Sequence, residues 1–354
     1  MNKVASVNIK DITLVIPCNH PLEDLLELLK TVVKGTCLPR EILIIESGKK
    51  IDTKNGLQFT PFVIYNVSAL HIPRDLSIRS CSLVAAYPGN ARNIGVLNSS
   101  SSYIAFLDVR TLPTAEWLER AWNTLEDPKY DGVWGVRRYK ASTLFGGLIR
   151  DAIYGRRPVR SLSGSVFRKD IFNIVGQMIS WAPAGEDVDW IHRIDTHKLN
   201  FFSNGEANHS YQGLDHKPFL FFVKKWWRYY HHSRLLPVNH RDRFLSYGLF
   251  YIILIFLAFN WNFKISVVLL GSPLIIPHIT TGLALAGPVL YVFVRGVYLP
   301  MRRGTPFLRV LPFRFFSILI VAFVLDLVKT LALLAPTIRS VEPAVKLSEL
   351  NDHR

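Results

Sequence analysis

The chain has 354 residues, a formal net charge of +15 and 49% hydrophobic residues against 19% charged ones, with a mean hydropathy of +0.20. So much apolar content excludes a disordered polyelectrolyte, and so few charges argue against an ordinary soluble enzyme. A chain both basic and apolar fits anionic headgroups or an anionic substrate.

In chain order, residues 12–16 (ITLVI) predict a buried strand ending at Pro17. Residues 22–33 place apolar side chains at 22, 25, 26, 29, 32 and 33, the spacing of one helical face. Residues 41–46 (EILIIE) predict a second strand, followed by the turn Ser47-Gly48. Strand, helix and strand with short links form a βαβ unit, so the expected sheet is parallel with a right-handed crossover. A helix near 90–99, strands at 103–108 and 131–139, and a helix over 186–199 with acids in its first turn continue the alternation. The prediction is an α/β domain over residues 1–215. The opening MNKVASVNIK lacks the apolar core of a signal peptide, so this domain is expected in the cytoplasm. Cys18, Cys37 and Cys81 form no CxxC pair and predict reduced thiols.

Composition changes after about residue 215. Residues 216–243 interleave Lys217, Lys224, Lys225 and Arg228 with Trp226, Trp227, Tyr229 and Tyr230, which predicts a basic-aromatic interfacial segment. Residues 244–336 predict a transmembrane region of about three spans. The run 244–263 is uncharged, and 265–294 is uncharged but interrupted by Pro273, Pro277 and Pro288. The run 315–335 contains Asp326 and Lys329, three residues apart on one helical face and able to pair within the bundle. Arg302, Arg303, Arg309 and Arg314, together with the basic segment, are expected on the cytoplasmic side, which puts the polar tail 337–354 outside. Because the basic residues cluster beside apolar runs and not on a recognition module, nucleic acid is not an expected partner.

In open α/β sheets ligands bind beyond the carboxyl ends of strands. Glu46, Asp108 and the pair Glu186-Asp187 sit at or near such ends. Each also has a plain structural reading: a loop carboxylate, a turn residue, or acids that favour a helix amino terminus. Between them lies Pro88-Gly89-Asn90-Ala91-Arg92-Asn93-Ile94-Gly95, a glycine before a helix start plus a guanidinium, suited to a diphosphate.

Five pieces in order, TLVIPCNHP, EILIIESGKKIDT, PGNARNIGVLNSSSSYIAFLDVRTLPTAEWL, SLSGSVFRKDIFNIVGQM and GEDVDWIHRI, cover most of residues 12–195. Together they resemble a family 2 glycosyltransferase of the GT-A fold. That resemblance implies a nucleotide-sugar-binding domain with a mostly parallel central sheet, here followed by an α-helical membrane region. It implies donor contacts at Pro17, Glu46, Arg92, Asn93, Asp108 and Arg110, and acceptor contacts at Ser163, Gly164 and Trp190. Asp187 matches the family's general base, with Glu186 beside it. Mg²⁺ or Mn²⁺ would be held through Asp108 and His209.

One departure stands out. The family's DxD motif reads Asp108-Val109-Arg110 here, so a cation replaces the second acid. Three readings remain open: Arg110 takes over the metal's electrostatic role, a metal still binds through Asp108 and the diphosphate, or the domain is degenerate. The stretch 219–234 lacks the QxxRW element of processive synthases, which points to transfer of single sugars. The expected function is inverting transfer from a nucleotide-diphosphate sugar to a lipid-linked or surface-glycan acceptor at the membrane's cytoplasmic face. The alternatives are transfer to polyprenyl phosphate, or a non-catalytic membrane scaffold retaining the nucleotide-sugar fold.

Overall fold

A computed structural model describes residues 8–48, 59–61, 73, 76–83, 86–215, 217–233, 236, 288–310, 312 and 314–335. Strand β1 (Ile9–Cys18) buries every side chain from Ile12 to Ile16, as a central strand covered on both faces must. It pairs in parallel with β2 (Leu38–Ser47) on one side and β5 (Tyr103–Phe106) on the other. Helix α1 (Leu22–Val33) makes the first crossover, with the limits its apolar spacing predicts. Strand β4 (Ser77–Leu83) extends the sheet in parallel beyond β2, and the two-residue β3 (Thr60–Pro61) closes that edge.

Beyond β5 the sheet changes character. Strand β8 (Val159–Arg168) runs antiparallel to both β5 and β7 (Gly132–Tyr139). Strand β10 (His209–Tyr211) lies parallel to β7 and antiparallel to β6 (Thr111–Pro113), while β9 (Phe201–Phe202) pairs with the start of β7. The sheet is therefore mixed, with five parallel pairings and four antiparallel ones. The βαβ reading misses β8 because VRSLSGSVFR carries small polar residues where a buried strand ordinarily shows an aliphatic run. It misses β4, SIRSCSL, for the same reason.

Period two sends alternate β1 side chains to two cores. Leu14 and Ile16 pack beneath α1 and α3 (Trp117–Leu125). Val15 faces α2 (Pro88–Leu97), α5 (Ile171–Val175) and α6 (Glu186–Thr196). Pro88 opens α2 at its first helical position, where a missing N–H costs nothing. Every residue of α2 from Gly89 to Val96 is buried. Cys18, Cys37 and Cys81 are free and buried.

A third apolar cluster joins the domain to the carboxyl-terminal part. Helix α4 (Leu144–Ile149) continues into a π-helical turn, Arg150–Tyr154. Ile149 and Ala152 from these meet Phe222 of α7 (Phe219–Ser233) and Ile318, Val321 and Leu325 of α8 (Arg314–Leu334). By length and composition α8 can cross a membrane. Its far face is also apolar, with Phe316, Ile320, Phe323, Leu327 and Leu331 exposed. A helix apolar on all sides needs more than one apolar surrounding. The expected run 244–263, residues 265–287 of the expected run 265–294, and the tail 337–354 lie outside the described residues.

Asp326 does not pair with Lys329. Its carboxylate is ion-paired with Arg295, whose Nη2 donates to Oδ1 at 2.9 Å and whose Nε lies 2.6 Å from Oδ2, and it accepts a hydrogen bond from the Tyr291 hydroxyl at 3.0 Å. Lys329 Nζ lies 4.6 Å from the centre of the Tyr230 ring. A planar guanidinium matches a carboxylate better than an ammonium one turn away.

The α2–β1 contact has no slack, because a Cβ added at Gly95 would overlap the Val15 methyls. Gly95→Ala is expected to destabilise the full chain by about 1–3 kcal/mol through overpacking, measured as a lower Tm. Val15→Ala should relieve part of that loss in the double variant.

Candidate active site

Arg92 joins the pieces of the site. From the middle of α2 its Nη1 donates to Glu186 Oε1 and its Nη2 to Asp108 Oδ1, both at 2.7 Å. The residue is 4% exposed. Asp108 follows β5 by two positions and Glu186 opens α6, so one guanidinium ties three elements together. Burial and the adjacent Asp187 charge push the Glu186 carboxyl above its ordinary range, against the pull of Arg92. Burial also pushes Asp108 up, but Arg92 and Arg137 outweigh it and hold this carboxyl below its usual value.

Strand β8 shapes the floor beneath Asp108. The Ser163 hydroxyl accepts the Asp108 backbone N–H at 3.0 Å, and the Gly164 carbonyl accepts the Trp117 indole N–H at 2.7 Å. Gly164 has φ +83° and lies so close to the His209 imidazole that any Cβ there would overlap the ring. Ser163 and Gly164, expected on the acceptor side, thus brace Asp108 and seat His209. Burial and the Arg137 charge bring His209 down to about 3, against the Asp108 charge, so the ring is neutral. Its Nδ1 lies 2.6 Å from Asn208 Oδ1. With Nδ1–H as donor, Nε2 carries the lone pair, and this buried atom has no hydrogen-bond partner among the described residues.

A neutral imidazole lone pair fits a transition-metal ion such as Mn²⁺ better than Mg²⁺, which takes oxygen ligands. Among the described residues no group of three or more His, Cys, Asp and Glu side chains is placed to hold a metal ion. The protein therefore offers Asp108 and His209, and a cation fits there if a bound diphosphate supplies the other oxygens.

Asp187, the next residue on α6, is half-buried and has no ion-pair partner among the described residues; its Oδ1 accepts the Val188 backbone N–H at 2.9 Å. The β7–β10 register sets His209 beside Arg137 and Tyr211 beside Tyr139. The Arg137 guanidinium stacks 5.0 Å from the Tyr139 ring and 5.9 Å from the Tyr211 ring. Lys225 of α7 lies 5.5 Å from both the Tyr154 and Tyr211 rings and donates to the Tyr154 hydroxyl at 3.2 Å. Burial, with Arg137 and Arg228 nearby, lowers Lys225 to about 8. Sequence reading misses Arg137 as a site residue and treats Lys225 only as part of an interfacial belt.

The remaining expected residues divide. Pro17 and Glu46 lie side by side at the carboxyl ends of β1 and β2, Pro17 opposite Ile45 and Glu46 opposite Cys18, and Glu46 accepts from the Ser82 hydroxyl at 2.9 Å. Asn93 does not face a ligand: its amide is buried and clamps Met178, donating to the carbonyl at 2.8 Å and accepting the N–H at 2.9 Å. Arg110 is ion-paired with Asp24 of α1 and not with Asp108, its Nε donating to Asp24 at 2.9 Å. Trp190 is fully buried in the α6 core, against Phe167 and Phe172, with its indole N–H donating to the Gly176 carbonyl at 3.0 Å. It lies one turn before Ile194 on the apolar face of α6 and so belongs to packing and not to an acceptor surface.

Residues 13–171, just under half of the chain, match the Glycosyl transferase family 2 model, so this stretch is similar to that family. Glycosyltransferase AglE of Haloferax volcanii is 26% identical over 198 residues, an alignment covering 51% of this chain and 60% of that relative. The matched stretch thus spans less than two thirds of the relative's length. Among solved structures, the mannosyltransferase PcManGT from Pyrobaculum calidifontis, in complex with GDP-Man and Mn²⁺, is 12% identical with a TM-score of 0.49, covering 91% of this chain and 87% of that one. Residues 1–349 of TarS from S. aureus, also solved in complex with UDP-GlcNAc, are 11% identical with a TM-score of 0.38, covering 88% and 90%.

Removing Arg92 should leave two carboxylates facing each other without their shared cation. Arg92→Met is expected to cost about 3–5 kcal/mol of stability, measured by thermal unfolding. Glu186→Gln in that background should recover a measurable part.

Proposed function

We propose that this protein transfers a sugar from a nucleotide-diphosphate donor to a membrane-associated acceptor, with inversion at the anomeric carbon and Asp187 as general base. The observation that carries the reading is the division of labour between neighbouring acids. Glu186 is taken up by Arg92, whereas Asp187 stands half-buried with no ion-pair partner among the described residues. An acceptor hydroxyl is a weak nucleophile and needs a carboxylate to take its proton during attack. Asp108 and the carboxyl ends of β1 and β2 form the donor side, with Arg92 holding Asp108 in place. A divalent cation bound by Asp108 and His209 would neutralise charge on the departing nucleoside diphosphate. Arg137, stacked between two tyrosines with its Nε without a hydrogen-bond partner among the described residues, supplies fixed positive charge on the same side.

Helix α8 is read as a membrane span with its Arg314 end in the cytoplasm, and α7 as an interfacial helix that delivers the acceptor. A phosphate-bearing acceptor such as a polyprenyl phosphate is the second reading, favoured by Arg137 and Lys225 together. A phosphate oxygen needs no strong base, so the two readings differ in their dependence on Asp187.

Asp187→Asn should lower turnover by about 10²–10⁴-fold while leaving nucleotide-sugar binding within about twofold, followed by nucleoside diphosphate release and by calorimetry. Unchanged turnover would remove Asp187 as base and favour the phosphate acceptor. Lys225 carries its charge below about pH 8 and loses it above. With an anionic acceptor, KM should therefore rise as pH passes through about 8, and Lys225→Met should flatten that rise. Full activity in excess EDTA would exclude the metal-bound form.

A further inference from the structure

The catalytic domain meets α8 at a second cationic feature. A cavity of about 500 Å³ opens between α4 and the start of α8, lined in part by Arg150, Arg309 and Arg314. None of Arg92, Asp108 and Asp187 is among its lining residues. Arg150 Nη2 and Arg314 Nη1 each stand 3.9 Å from the point a Cβ on Gly147 would occupy. Two guanidiniums from different elements thus converge over one residue that has no side chain.

Their charge is only partly answered. Asp151, fully buried, is the carboxylate beneath them, and it serves Arg156 at 3.0 Å as well as Arg150 and Arg314 at 3.3 Å. Asp215 stands behind the Ser142–Thr143 wall, its oxygens filled by the backbone N–H and hydroxyl of both residues at 2.7–3.1 Å. Arg309 has no ion pair among the described residues and is exposed. Among the described residues, four arginines against two carboxylates leave net positive charge at the cavity, where a phosphate can accept from two guanidiniums at once.

The surroundings identify which phosphate. Leu144 is 82% exposed and Leu308, beside Arg309, is 88% exposed. Phe307, next to Leu308, and Phe316, two residues into α8, are also more than half exposed. Large apolar side chains standing in water around arginines match the boundary between acyl chains and headgroups. Arg314 is also the first residue of α8, so a membrane-spanning α8 sets this cavity at the depth of lipid phosphates. We infer that the cavity binds the phosphate of an anionic membrane phospholipid between Arg150 and Arg314, with Arg309 at the rim and Leu144 and Leu308 against the acyl chains. The inference rests on the reading of α8 as a membrane span, and the site holds a structural lipid, separate from the sugar acceptor.

The test uses the purified full chain in detergent, titrated with dihexanoyl-phosphatidylglycerol, dihexanoyl-phosphatidylcholine or inorganic phosphate, with bound lipid counted by native mass spectrometry. Wild type should bind one phosphatidylglycerol at least about tenfold more tightly than phosphatidylcholine. Arg309→Glu, on an exposed side chain outside the catalytic site, should abolish that preference without changing nucleoside diphosphate release or Tm. Arg150→Gln should also weaken phosphatidylglycerol binding, and if this variant does not fold, Arg309→Glu decides alone. Equal affinity for the two lipids, or an Arg309→Glu variant that binds like wild type, would overturn the site. Inorganic phosphate competing at the same concentration as phosphatidylglycerol would overturn the lipid assignment and leave a free-anion site. Alkaline carbonate extraction tests α8 separately. An extractable chain that still prefers phosphatidylglycerol keeps the cavity and removes the span, and a retained chain without the preference does the reverse.

Discussion

One guanidinium shared by two carboxylates governs the site. Two acids so close in a poorly hydrated place would repel each other, and one would take up a proton. Arg92 relieves that repulsion with a 2.7 Å bond to each, and in doing so fixes the end of β5 relative to the start of α6. Successive residues on a helix point about 100° apart. Once Glu186 is turned inward to Arg92, Asp187 must point elsewhere. The pairing therefore makes Glu186 the brace and leaves Asp187 without an ion-pair partner among the described residues. Asn93, the next residue on α2, extends the same fastening to Met178 in the segment before α6.

Legibility followed physical signal. Helix α1 was readable to the residue because its apolar positions repeat at helical spacing over a full twelve residues. Strands β1 and β2 were readable as aliphatic runs, though each extends further than its apolar centre. Strand β8 was hidden because serines and a glycine occupy its middle, where they serve Asp108, Gly135 and His209 and do not fill a core. The motif residues Arg92, Asp108, Glu186 and Asp187 were legible by resemblance, and the structure brings the first three into contact. The division between them was not, since it depends on which direction each side chain leaves its helix. Arg137 could not be singled out: within GVWGVRRY it is one of two adjacent arginines, and only the register with β10 separates the one beside His209 from its neighbour. Trp190 carried a usable signal, its i, i+4 relation to Ile194, which marks it as core.

The charge excess resolves into separate tasks. Arg92 and Arg193 are tied to acids inside the domain. Arg295 is spent on Asp326, a polar bond set among apolar helices. Arg137 and Lys225 are held by tyrosine rings in place of carboxylates, which leaves their positive charge effective toward the cleft.

The docking of α8 has a mechanical meaning. Its first half is packed against α7 and the π-helical turn, Arg314 is bonded to Asp151 beneath it, and Arg303 reaches the Ile153 carbonyl at 2.6 Å. A 21-residue helix measures about 31 Å at 1.5 Å per residue, close to the hydrocarbon thickness of a bilayer. With the helix seated in a membrane, the domain rides at one altitude and not on a swinging tether. On the proposed reading of Asp187 as base, that residue would then work like a fixed tool above a conveyor. Acceptors would be sorted by how far their reactive hydroxyl rises from the lipid surface, which would make the acceptor's reach part of its recognition.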